Sequence, residues 1–162
     1  MDLLKSQKYI AAHRDETIKT LCRFLLTDTL LFWSDNPDLY AHQQKHWQPV
    51  LDTLNTVFKI NLQTTTHLIP AANENVIPEF ERHINAMSDK ELTGCFLAAA
   101  EMKSVLLGLL LATRKITAVE AFEKAYLEEL YQNQFWGEDA AALQARETAK
   151  NNLLQIEDYL KN

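Results

Sequence analysis

Glycine is scarce, with only Gly94, Gly108 and Gly137 along 162 residues. That scarcity rules out a phosphate-cradling loop, and with no more than four prolines there is little material for the turns of a sheet-rich fold. Cysteine is nearly missing too. Cys22 and Cys95 are far apart and sit on apolar helical faces, the pattern of two buried thiols in a reducing compartment and not of a disulfide framework. Clusters of basic residues are absent. Lys and Arg total 16 against 22 Asp and Glu, a net charge of −6, so the positive surface that phosphate-backbone binding needs is lacking and no nucleic-acid partner is expected. The most apolar run carries Glu101 and Lys103 near its middle, where each charge would cost about 3 kcal/mol at a bilayer centre, so no stable membrane insertion is expected. No Ser or Cys stands in a nucleophile elbow, and no catalytic residue is assigned. The opening DLLKSQKYIAAH shows no signal peptide and reads as the edge of a domain.

What is present is apolar periodicity. With 47% hydrophobic residues the chain can bury a full core, and the expected fold is a single, mainly α domain of about six helices. The organising element is Ser88–Arg114, read as one central buried helix. Ser88 and Glu91 form a capping box at its start, and Leu92, Cys95, Phe96, Ala99, Met102, Leu106, Leu109 and Leu110 recur at helical spacing. Gly94 and Ala98, and Ala100, Ser104 and Gly108, lie four apart, which makes Gly108 part of a small-residue row that another helix backbone can approach.

Around it, an amphipathic helix begins near Asp15. Asn36 with Pro37 starts another that keeps helical phase through Pro49 to Phe58, with Trp47 on its apolar face. A second capping box, Thr117 with Glu120, opens a helix expected to run to Trp136, where Gly137 ends it; a final helix begins at Asp139. Thr29–Trp33 and the threonine-rich INLQTTTHLIP are candidates for a small two-stranded β ribbon.

Two constellations stand out. His42 and His46 lie four apart, the spacing that turns two imidazoles toward one metal, but Lys45 falls between them and no third ligand is evident. A metal-dependent hydrolase built on this pair is the alternative reading; a solvated helix face is the plainer one, and no metal or cofactor is assigned. The other constellation is LEELYQNQFWGED, Leu127–Asp139, which gathers Glu128, Glu129, Gln132, Trp136, Gly137 and Glu138 at one helix end. It reads either as an acidic solvated face over a core Trp or as a binding surface in which an aromatic anchors and carboxylates select the partner. Trp136 is expected to pack partly into the core. Glu128 and Gln132 should share a face, with Glu129 turned about 100° away.

The stretch LEELYQNQFWGED resembles the signature of the assembly chaperones for the catalytic head of the ATP synthase, the family that holds the unassembled F(1) α subunit in mitochondria and α-proteobacteria. TDTLLFW at Thr27–Trp33, WQPVLDTLNTVF at Trp47–Phe58 and KSVLLGLLLATRKITAVEAF at Lys103–Phe122 carry the resemblance along nearly the whole chain. It implies the family's helical C-terminal domain, with the β-rich N-terminal domain absent, and a non-enzymatic chaperone without cofactor. It implies the F(1) α subunit as client, with Glu128, Glu129, Gln132, Trp136 and Glu138 as client-binding residues. Asp28, Trp47, Gly108 and Gly137 are its structural residues. Asp139 followed by Ala140, Ala141 and Ala142 is closer to bacterial members, which implies a bacterial cytoplasm or a mitochondrial matrix. A helical scaffold for another client shares the same interface physics.

Overall fold

Nine α-helices follow one another in a computed structural model that describes residues 1–162. They are α1 (Leu3–Ala12), α2 (Arg14–Leu25), α3 (Pro37–Phe58), α4 (Ile77–Asn85), α5 (Asp89–Met102), α6 (Val105–Ala112), α7 (Ala118–Ala125), α8 (Leu127–Trp136) and α9 (Ala140–Lys161). The class is mainly α, and the helix count exceeds the expected one because two long helices are each divided and the opening segment forms a helix of its own, α1.

The local signals hold where they are covalent neighbours. Asn36 accepts from the amides of Asp38 and Leu39 at the start of α3, Pro37 occupies its first turn, and α3 continues without interruption through Pro49. Both capping boxes close reciprocally. The Ser88 hydroxyl accepts from the Glu91 amide while the Glu91 carboxylate accepts from the Ser88 amide, each at 3.1 Å, and Thr117 with Glu120 repeats the arrangement at the same distances.

The central helix is broken. Lys103 takes a left-handed backbone conformation, φ +54° and ψ +36°, and Ser104 caps a new helix by accepting from the Leu107 amide at 3.1 Å. The cause lies 76 positions earlier in the chain. Asp28, fully buried, receives the Ser104 hydroxyl at 2.8 Å, the Leu106 amide at 2.9 Å and the Leu30 amide at 2.9 Å. One carboxylate thereby caps the first turn of α6 and the 3-10 turn at Thr29–Leu31, satisfying donors that a helix start leaves free. Hydrogen bonds from charged-group acceptors of this kind are among the stronger ones.

Because the chain reverses there, α6 returns across α5. A Cβ on Gly108 would sit 2.7 Å from the Cys95 carbonyl oxygen and 3.2 Å from the Ala99 Cβ, so Gly108 does admit a helix backbone, that of α5, while the expected row is not continuous: Ala100 lies on α5 and Ser104 at the break. All eight residues of α6 are buried. Gly94 of α5 does the same for α9, where a Cβ would meet the Leu160 side chain at 2.6 Å. One contiguous core of 37 buried residues results. Cys22 and Cys95 are buried in it as free thiols, and burial pushes their pKa up, to about 11 and about 12.

Trp47 is entirely inside this core, and its indole N–H donates to the Lys124 carbonyl at 2.9 Å, tying α3 to the end of α7. The helix expected from Thr117 to Trp136 is divided at Tyr126, whose φ of −102° and ψ of 16° separate α7 from α8. The ribbon is reduced to a single parallel bridge between Phe32 and Thr65, because Thr29–Leu31 turns into the 3-10 segment that Asp28 caps. No helix is long and apolar enough to cross a membrane.

Candidate functional site

Helix α8 leaves the core at its first residue. Leu127 is the only buried residue of α8, and the helix ends in Phe135, 65% exposed, and Trp136, 85% exposed. The expected packing of Trp136 into the core is therefore overturned: α8 contributes only Leu127 to the interior and meets α3 through Tyr131. His42 lies 5.1 Å from the Tyr131 ring, centroid to centroid, and Tyr131 lies 5.2 Å from Phe135, so an aromatic row runs from α3 out to the exposed end. His42 and His46 meet edge to face at 4.6 Å; burial first, and His42 second, lower the pKa of His46. No third His, Cys, Asp or Glu joins this pair in an arrangement that could hold a metal.

At the start of α8 is an acidic cleft of about 300 Å³, lined by Glu128, Glu129 and Gln132 from α8, by Glu101, Met102 and Lys103 at the end of α5, and by Thr29, Ala125 and Tyr126. The three α8 residues thus share one cleft, including Glu129, which helical geometry alone turns elsewhere. The break at Lys103 ends α5 at this cleft, so that Glu101, Met102 and Lys103 face the start of α8 across it. Burial, then the nearby Glu101 and Glu129, raise the Tyr126 pKa, as expected for a phenol facing negative charge.

The carboxylates differ in what they touch. Glu129 accepts from Arg146 Nη1 at 3.0 Å and Glu138 from Arg146 Nη2 at 2.9 Å. Glu101 accepts from the Asn152 amide at 3.3 Å. Glu128 is exposed and has neither a hydrogen bond nor an ion pair within the chain. Gly137 turns the chain with φ +78°, ψ 174°, an extended left-side conformation open to glycine and not the left-handed helical one expected of it. Asp139 then caps α9 by accepting from the Ala142 amide at 3.1 Å.

Arg146 was not among the residues singled out from the sequence. It is 3% exposed, on the buried phase of α9 with Ala149, Leu153, Ile156 and Leu160. A cation in register with the apolar positions of a helix was the available signal, since a guanidinium there requires carboxylate partners.

A family model described as ATP12 chaperone protein matches residues 1–55, from α1 into α3, a region that contains Asp28 and Trp47 but not α8. The fold is similar to Atp12 from Paracoccus denitrificans, with a TM-score of 0.91 at 22% identity over 96% of this chain and 68% of that one. It is also similar to the Atu1473 protein of Agrobacterium tumefaciens, with a TM-score of 0.80 at 24% identity over 93% of this chain and 57% of that one. The chain matches the ATP12 chaperone family in sequence over residues 1–55 and shares the fold of Atp12 over nearly all its length, as the resemblance read from its motifs implies.

Proposed function

We propose that this chain, as the helical domain of its family, is a non-enzymatic assembly chaperone for the F(1) sector of an ATP synthase. It holds the unassembled α subunit until the β subunit takes its place, and it acts in a bacterial cytoplasm or a mitochondrial matrix. The observation that carries the reading is the outer side of α8: two large exposed aromatics, Phe135 and Trp136, at its end, and about two turns earlier on the same helix an exposed carboxylate, Glu128, that no group of the chain neutralises. An apolar patch of that kind takes up surface that the client later buries against its own neighbour, and free charge at the rim sets register and speeds encounter without demanding high affinity. The family match and the Atp12 fold support the choice of client class.

Co-expression with an ATP synthase α subunit tests it. The parent chain is expected to raise the soluble yield of that subunit and to co-purify with it. Glu128→Lys, which breaks no ion pair, should melt within about 0.5 kcal/mol of the parent and capture less α subunit, the deficit growing at low salt. Failure of the parent to capture any α subunit sinks the proposal; capture unchanged in Glu128→Lys removes Glu128 from the interface.

A further inference from the structure

We infer that Arg146 is a positioning residue for the aromatic end of α8, holding Phe135 and Trp136 out for the client without touching the client itself. This inference rests on the chaperone reading above.

The two carboxylates that grip Arg146 bracket the aromatic tip. Glu129 lies in the first turns of α8 and Glu138 just beyond Gly137, so the segment from Leu130 to Gly137 is fastened on both sides to one guanidinium. The guanidinium itself is 3% exposed and rides on α9, whose neighbouring buried residues Ala149 and Leu153 belong to the interior. Planar, forked geometry is what allows two nitrogens to serve two separate carboxylates at 3.0 and 2.9 Å; an ammonium would reach them only as a point charge.

The aromatic tip has little else to fix it. Trp136 is 85% exposed, its indole N–H has no partner, and a Cβ added at Gly137 would meet nothing within 4 Å. Packing reaches the tip only at Phe135, which meets Tyr131; Trp136 has no aromatic neighbour, and the Arg146 fork holds the chain on both sides of it. A presented aromatic that is already ordered loses less freedom on binding, which is the general advantage of preorganisation. The fork has a second consequence, for charge: with Glu129 and Glu138 each paired, Glu128 is the α8 carboxylate left for a cationic group on the client.

Arg146→Lys tests the fork with charge retained, and Glu138→Gln loosens it from the exposed side should the buried substitution fail to fold. Trp33 and Trp47 are buried, so acrylamide-quenchable indole fluorescence above the background of Trp136→Ala reports the tip alone. The melting temperature is expected to stay near the parent's in Glu138→Gln and to fall in Arg146→Lys; in each folded variant the anisotropy of Trp136 is expected to fall and capture of the α subunit to weaken at least about fivefold, the effect of truncating an interface residue that matters. If either folded variant keeps parental anisotropy and parental capture while Trp136→Ala loses capture, the inference is overturned and the chaperone site stands. If Trp136→Ala captures as the parent does, or the parent captures nothing, the site reading fails and the inference with it.

Discussion

The α5–α6 junction and the α8–α9 junction are both reversals of direction between helices, and each is held by an ionisable side chain that is itself buried. At the first, Asp28 receives only hydroxyl and amide donors from Ser104, Leu106 and Leu30 and has no cation beside it. At the second, Arg146 is paired with two half-exposed carboxylates. The difference follows from where each lies. Deep between helices, free amides of a helix start can neutralise a carboxylate without bringing in a second charge to desolvate. At the surface, the carboxylates keep much of their hydration and the buried partner is the one that needs them. The inner reversal lets a chain segment pack on itself, and the outer one leaves aromatic side chains in solvent.

The two glycines of these regions separate the cases most sharply. Gly108→Leu is expected to destabilise the protein by about 3 kcal/mol or more, because the new side chain drives into the Cys95 carbonyl, which is backbone and cannot turn aside. Chemical denaturation with an unchanged midpoint would mean that α6 does not lie on α5 in this way. Gly137→Ala meets open space and costs only its backbone conformation, so a loss of about 1 kcal/mol is expected, the strain being partly offset by a less flexible unfolded chain.

Between those two comes Asp28→Asn. At pH 7 it should cost about 2 kcal/mol, since the amide must face at least one of the N–H donors that the carboxylate accepted from. Burial raises the Asp28 pKa from an ordinary 3.8 to about 6, against the lowering effect of its hydrogen bonds. A folded-state pKa above the unfolded one means that the native state holds the proton more tightly. This group's contribution to stability is thus fully present below pH 4 and is lost as pH rises through 6. The parent's margin over Asp28→Asn should accordingly widen by about 2 kcal/mol between pH 7 and pH 4. Stability curves for the pair that run parallel, or approach each other on acidification, would show that this carboxylate is not desolvated.

Much of the fold was legible because its signals are local. Asn36–Pro37, Ser88 with Glu91, and Thr117 with Glu120 announce helix starts through partners within four residues, and those starts are observed. Gly108 was legible as a point of close approach, although not the helix that approaches it. The break at Lys103 was not legible. Glu101, Met102 and Lys103 continue the helical pattern, and Ser104 resembles any small residue in a packed row until Asp28 is brought against it. The candidate site divides in the same way. The crowding of Glu128, Glu129, Gln132 and Trp136 on one stretch is visible in one dimension. Whether Trp136 faces in or out depends on how α8 leaves the core after Leu127, which its contacts with distant elements decide.

The sequence alone therefore determined the class of the fold, the starts of its principal helices and the stretch that sets one helix end apart, since capping and periodicity act over a few residues. Only the tertiary structure decided that the central run doubles back on Gly108, that Arg146 divides its charge between Glu129 and Glu138, and that Phe135 and Trp136 stand in solvent. Each of these depends on groups far apart in the chain meeting in a low-dielectric interior, where an unpaired charge or a misplaced methyl group costs more than local propensity can supply.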